Sequence, residues 1–410
     1  MKIALAIVLY FLCSYVHAQT ITGIVKDTEN GKPLIGVTVY IGNSSRSTVS
    51  DGNGTFSIVG FSNSPYELIF SFVGYEILVI PSQKIGKEPL NITLKPKENS
   101  LDPVAVQTFE KDGWKKWGKL FMDNFIGTLP FSNQCTIKNK DVIKFRYSEK
   151  KNELEAIAFE PLIIVNDYLG YKIRYDLEYF INNFKSHYVF YAGYPVFSNI
   201  SNSSHYLKIR EKRRAEVYTG SLLHFARAMY NNTIKEDGFQ IRKLQKIPNL
   251  EKKRVDSIYK NNNYVSIRPD GTKLIMNKVG QLFPRDTVNY FKAVQRQPDI
   301  LNILSNKFLS ANDLFVRKDT SAKVFEIPDY LYITFPSKLE LPEYYTNKFN
   351  INGDSCITAV ISFLDDKKLS FYSNGAYFPP TNLLTEQYWS WSDKISSMLP
   401  FDYKKLKDEK

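Results

Sequence analysis

The chain is poor in residues that carry chemistry, with 3 cysteines and 4 histidines among 410 residues. His187, His205 and His224 each lack a Glu three positions on, so the His-x-x-Glu pair of a zinc carboxypeptidase is missing. His-Glu-x-x-His, Gly-x-Ser-x-Gly, Cys-x-x-Cys and the phosphate-loop Gly-x-x-x-x-Gly-Lys-Ser/Thr are absent as well. The familiar zinc-peptidase, serine-hydrolase, nucleotide-binding and dithiol chemistries are thereby excluded, and no catalytic residue, metal ligand or cofactor is expected. Glycosidase carboxylates have no fixed sequence spacing. Glu153, Glu155 and Glu160 therefore stay open as acid chemistry or as ordinary surface charge.

Long apolar runs are also scarce. The one clear case is Ile3 to Tyr15, preceded by the single charge Lys2 and ending in Val16-His17-Ala18. It is too short to span a bilayer, which takes about 20 apolar residues. It reads as a signal peptide over residues 1–18, with cleavage between Ala18 and Gln19. Cys13 lies inside the run and leaves with it. No later segment is apolar enough to cross a membrane as a helix, so a mature chain without a transmembrane span is expected. Cys135 and Cys356 remain, and an exported chain leaves two alternatives for them, a disulfide or two buried thiols.

Negative charge is in deficit: 54 Lys and Arg face 42 Asp and Glu, a formal net charge of +12. Nucleic acid is not the expected partner of an exported chain. An anionic glycan, an anionic lipid or another envelope protein is, unless the charge serves only solubility. Hydrophobic residues at 43% and aromatics at 14% exclude general disorder. Gln19–Lys410 exceeds the 250–300 residues or so at which single cores stop growing, so two or three domains are expected.

The first stretch with organised periodicity is residues 19–96. Ile21 to Val25 is followed by the turn Asn30-Gly31-Lys32-Pro33, and Val37, Val39 and Ile41 then alternate with Thr38 and Tyr40. After Ser50-Asp51-Gly52-Asn53-Gly54 come Phe56 and Ile58, then Leu68, Phe70 and Phe72, and finally Ile92 and Leu94 before Pro96. A period of two with Gly/Asn/Asp/Pro punctuation is the pattern of a β-sandwich. Its shared apolar face needs no later residue, so the stretch is expected to fold alone. Asp51 and Asn53 lack the further oxygen ligands of a calcium loop and are explained by a tight turn.

Gly23-Ile24-Val25-Lys26-Asp27, Gly31-Lys32-Pro33-Leu34-Ile35-Gly36-Val37, Thr48 to Phe56 and Phe72-Val73-Gly74-Tyr75 together resemble the carboxypeptidase-regulatory-like domain, also called transthyretin-like. The resemblance implies a transthyretin/prealbumin-like sandwich that is accessory and carries no catalytic residues. Such a domain also precedes the plug of many TonB-dependent receptors of Bacteroidota. Leu101-Asp102-Pro103-Val104-Ala105-Val106 resembles the short strand that follows it there. The rest of the chain lacks the repeated ten-residue strands of a barrel, which argues against a receptor. Over its full length the chain resembles Bacteroidota proteins named only for this regulatory domain, which implies no activity.

Residues 97–107 read as a linker, and 108–410 as an α+β region of unassigned fold, divided near 235–330. Trp114, Trp117, Phe121 and Phe125 mark an amphipathic helix that lies on a core or a membrane surface. Strands are expected at Val142 to Tyr147, Glu153 to Phe159, Leu162 to Val165, Tyr171 to Tyr179 and Lys185 to Tyr191. A second helix spans Leu207 to Ile234. It opens with Lys208, Arg210, Lys212, Arg213 and Arg214, where cations oppose the positive helix N-terminus. Arg210, Lys212, Arg213 and Arg214 are thus a candidate anion-binding group, the alternative being a solvated face. Another helix is expected from Val288 to Leu304, then strands at Leu331 to Phe335, Ile357 to Phe363 and Leu369 to Tyr372.

The expectation is an exported protein of the periplasm or outer membrane with a non-catalytic structural or interaction role. The alternatives are a hydrolase of glycans or peptides with an unrecognised site in 108–410, and a binder of anionic glycan or lipid.

Overall fold

A computed structural model describes residues 20–61, 64–97, 109–200, 204–319, 321–327, 329–345, 355–364 and 368–406. The signal segment with Ala18 and Gln19, and almost all of the linker, lie outside the described residues.

The N-terminal body is a two-sheet β-sandwich. Strands β1 (Thr20–Asp27), β2 (Thr38–Ile41), β3 (Ser47–Val49), β4 (Thr55–Val59), β5 (Glu67–Ser71), β6 (Leu78–Pro81) and β7 (Leu90–Leu94) form sheets β4-β1-β7 and β3-β2-β5-β6. Only the β1–β7 pairing is parallel. Val25, Val39, Ile41, Phe56, Phe70 and Ile92 meet between the sheets, as the alternation requires. The short strands β3 and β6 were not visible in the sequence pattern.

The middle body packs one helix on a six-stranded sheet. Its elements are α1 (Gly113–Phe125), β8 (Cys135–Ile137), β9 (Ile143–Ser148), β10 (Glu153–Ala158), β11 (Leu162–Asn166), β12 (Tyr171–Asn183) and β13 (Tyr188–Asn199). The long β12 pairs β11 and β10 along one edge and β13 along the other. Phe121 and Phe125 of α1 are fully buried against Phe145, Phe180 and Tyr175, so the aromatic stripe faces a core.

The helix expected over Leu207 to Ile234 is two helices, α2 (Ser204–Tyr218) and α3 (Leu222–Asn231). The break is at Gly220, whose φ of 81° is left-handed and whose Cβ, if present, would press on Phe335 and Ile357.

The C-terminal body contains β14 (Gln240–Pro248), α4 (Leu250–Asn261), β15 (Asn263–Ile267), β16 (Lys273–Asn277), α5 (Val279–Leu282), α6 (Arg285–Gln295) and β17 (Ile300–Leu309). It continues with α7 (Ala311–Leu314), β18 (Phe315–Lys318), β19 (Ala322–Glu326), β20 (Tyr330–Leu339), β21 (Cys356–Phe363), β22 (Lys368–Tyr372), β23 (Tyr377–Phe378), β24 (Leu383–Gln387) and α8 (Tyr388–Ser392). A sheet β17-β14-β20-β21-β24 and a sheet β18-β19-β22-β23 share a core with Phe225 and Met229 of α3 and Trp389 of α8. The helix expected from Val288 to Leu304 stops at Gln295, because Pro298 blocks it and Ile300 onward joins the sheet as β17. Between β14 and β17 the chain leaves the sheet as an arm of α4, the ribbon β15–β16, α5 and α6, around a small core of Val255, Val279, Phe291 and Val294.

The three bodies interlock. The face of β2–β5 turned away from the sandwich core carries Tyr40 and Ile69, and both are fully buried against Val196 of β13. This differs from the self-contained module that alternation alone implies. The Phe197 amide donates to Ser44 O at 2.9 Å, and the Asn43 amide to Pro195 O at 2.8 Å. After α8 the chain returns across the other bodies: Asn166 Nδ2 donates to Ser396 O at 2.8 Å, and the Phe401 amide to Asn43 O at 2.7 Å.

Candidate functional site

The arginine group folds inward. Arg210 and Arg214 are buried on α2. Arg214 Nε donates to Leu169 O at 2.8 Å and Nη2 to Asn199 Oδ1 at 2.9 Å, while Nη1 pairs with Glu211 Oε1 at 2.6 Å. Its guanidinium also lies 3.9 Å from the Tyr171 ring centroid. Arg210 Nη1 donates to Ile200 O at 3.2 Å and rests against Gly170, whose φ of 73° and close approach leave no room for a Cβ. Arg213 Nη1 donates to Tyr168 O at 3.2 Å. Lys212 alone of the four is exposed.

Of the expected anion-binding group, Arg210, Arg213 and Arg214 thus each direct at least one donor to a backbone carbonyl of the β11–β12 turn or just past β13, and Arg214 also bonds Asn199 and Glu211. The electrostatic mismatch that suggested it also disappears. α2 begins at Ser204 and ends at Tyr218, so these cations sit in its middle turns, away from the positive N-terminus.

Cys135 and Cys356 are free thiols in different bodies, the first buried, the second half-buried. Burial pushes the Cys135 thiol up to about 12. His187 and His205 are exposed and His224 is half-buried. Among the described residues no group of three or more His, Cys, Asp or Glu is placed to hold a metal ion. Glu155 pairs with Arg146 at 3.8 Å and Glu153 with Lys151 at 4.0 Å across the β9–β10 hairpin, the geometry of surface charge.

Two places bring titratable groups together. The first is a cleft of about 540 Å³ lined by Tyr218, His224, Arg227, Asp237 and Lys405 among others. His224 Nδ1 accepts the Gly220 N–H at 3.2 Å, which leaves the proton on Nε2. Burial first, then nearby cations, pull its pKa down to about 4, so the ring is neutral at physiological pH. Its ring hydrogen bond goes to a backbone amide. Asp237 takes a bond from Thr233 Oγ1 at 2.6 Å, and both residues line the cleft.

The second place is the elbow between α2 and α3. Asp393 Oδ2 accepts the Leu222 amide, the first of α3, at 2.9 Å, beside the N-cap Ser221. Lys338 Nζ donates to Thr219 O at 2.9 Å and to Glu216 O, the last carbonyls of α2. An acid at the start of one helix and a base at the end of the other match both dipoles. Burial pushes Asp393 up to about 6 and pulls Lys394 down to about 8. Shifted carboxyls attract a catalytic reading. Here the shift belongs to a carboxylate that caps a helix, a role sequence reading missed because its partner amide is 171 positions away.

The same physics recurs between the first two bodies. Asp176 is buried on β12 and accepts from Tyr40 Oη at 2.7 Å and from Ser71 Oγ at 2.7 Å. Arg174 Nε lies 3.5 Å from Asp176 Oδ2. Desolvation, then the Asp176 charge, raise Tyr40 well above its usual value, so the phenol stays a donor.

The ribbon of the arm, by contrast, carries three adjacent exposed aliphatics. Ile275 is 77% exposed, Ile267 65% and Val265 59%, all on the ribbon β15–β16.

Residues 21–106 match the CarboxypepD_reg-like domain. The match covers the sandwich and stops short of α1. No curated protein matches the chain.

Proposed function

We propose that the protein is an exported, non-catalytic component of the cell envelope, periplasmic or outer-membrane-associated, whose role is interaction. What supports this reading is the allocation of its polar chemistry. Asp176, Asp393, Lys338 and Arg214 are engaged in joining bodies and capping helices, and His224 bonds a backbone amide, while exposed Val265, Ile267 and Ile275 lie side by side on the ribbon β15–β16. Monomeric soluble proteins rarely leave such a patch uncovered without a binding role. Residues 1–18 direct export, and the sandwich acts as an accessory module fixed to the middle body.

The test is a photo-crosslinking side chain placed at Ile275 of the full-length precursor, with exposed Lys32 of the sandwich as control. Adducts in native envelope at Ile275 and not at Lys32, from a mature chain starting at Gln19, are expected. Cytoplasmic retention, or no adduct from the arm, would contradict the proposal.

A second reading, a hydrolase of glycans or peptides, is favoured by one observation, the Asp393 carboxyl near 6 beside Lys394 near 8. It requires turnover that Asp393→Asn abolishes while the fold persists.

A further inference from the structure

Resting on the interaction reading, we infer that the ribbon β15–β16 docks tip-first onto an anionic lipid surface. The cross-strand register is Val265↔Ile275 and Ile267↔Lys273, which puts Val265, Ile267, Ile275 and Lys273 on one face. Tyr264 and Met276 pair on the other face and are also exposed, at 36% and 44%. A protein groove covers one face of a ribbon. A fluid interface wets both, and both faces here are apolar.

The charges complete the fit. Exposed Arg268 and Lys273 flank the turn at the tip, and exposed Lys260 and Lys278 stand at the root, with Lys278 Nζ 5.0 Å from the Tyr264 ring centroid. Asp270, the acid at the tip, accepts the Thr272 amide at 2.9 Å, and the turn is closed by Arg268 N–H to Thr272 O at 2.9 Å. Residues 249–299 hold ten Lys or Arg against five Asp or Glu. Of those acids, Glu251 pairs with Arg254 and Asp299 with Lys252. The free surface of the arm is thus positive and aliphatic, the composition of an interfacial anchor.

Depth is limited by the backbone. A two-stranded ribbon has unpaired amides and carbonyls along both outer edges, and these cannot enter hydrocarbon. Docking therefore stays at headgroup level, about 5–10 Å deep, with the lysine stems extended toward phosphates and the aliphatics just below.

The experiment is co-sedimentation of the full mature chain with vesicles of phosphatidylcholine alone or with one quarter phosphatidylglycerol. Binding to the anionic vesicles only, weakening with salt, is expected. Arg268→Gln with Lys273→Gln should reduce partition about fivefold per charge. Ile267→Ser with Ile275→Ser should abolish it. Both variants change exposed side chains, and an unchanged thermal unfolding curve verifies that they fold. Absence of binding, or equal binding by wild type and variants, overturns the inference. Should the chain instead self-associate in a way that Ile275→Ser prevents, the partner is a second copy; the lipid assignment then fails while adducts at Ile275 keep the interaction role.

Discussion

The face of β2–β5 and the ribbon β15–β16 both present aliphatic and aromatic side chains away from their own cores, yet they end differently. On β2–β5, Tyr40 and Ile69 meet β13, and a buried carboxylate, Asp176, receives both Tyr40 and Ser71. On the ribbon, Val265, Ile267 and Ile275 remain more than half exposed, and the polar neighbours are exposed cations. Apolar area alone does not distinguish an internal joint from an external surface. The distinguishing feature is the polar group: a buried carboxylate that accepts two hydroxyls where the contact is permanent, cationic and solvated where a partner is to come.

The largest expected effect breaks the joint. Asp176→Ala removes the acceptor of Ser71 Oγ, leaves Tyr40 Oη only Tyr194 O at 3.1 Å, and strips Arg174 of its counter-charge, which should cost about 3 kcal/mol in denaturant unfolding. A cost below about 1 kcal/mol would mean that the sandwich is loosely attached. Arg214→Gln comes next. With Leu169 O, Asn199 and Glu211 as the partners of Arg214, it should cost about 2 kcal/mol.

The pH dependence sharpens the account of the elbow. The His224 pKa falls from 6.5 to about 4 on folding, so its neutral form supports the fold, and that support is lost as pH drops through this window. The Asp393 pKa rises from 3.8 to about 6, so stability is gained as pH drops from about 6. The two oppose each other at a comparable size, about 3 kcal/mol each. Asp393→Asn should therefore steepen the loss of stability between pH 6 and about 4, and His224→Gln should flatten it, as read by melting temperature across that range. Identical profiles for both variants would remove these groups from the account. The smallest effect belongs to the ribbon, where Ile275→Ser should change stability by less than about 0.5 kcal/mol.

The sandwich was legible because alternation and turn residues act locally: Val37, Val39 and Ile41 face one way whatever follows. The elbow was not legible. Periodicity runs through Thr219-Gly220-Ser221 from Tyr218 to Leu222, and only the packing of Phe335 and Ile357 on Gly220 reveals the left-handed break. Missing that break placed the arginines at the start of one long helix, whereas they lie in the middle of a shorter one. The Val288 to Leu304 reading failed for a local reason that was available, since Pro298 ends a helix. Asp176 and Asp393 were beyond sequence reasoning, because their partners lie 136 and 171 positions away.

Native-state hydrogen exchange on the intact protein tests the central claim most directly. If the bodies are joined by buried polar contacts and the arm is left free, amides of β2, β5, β12 and β13 should open together with one free energy, close to that of global unfolding. Amides of β15 and β16 should exchange faster by orders of magnitude. A sandwich that opens on its own while β12 and β13 stay closed, or a ribbon as protected as they are, would contradict it.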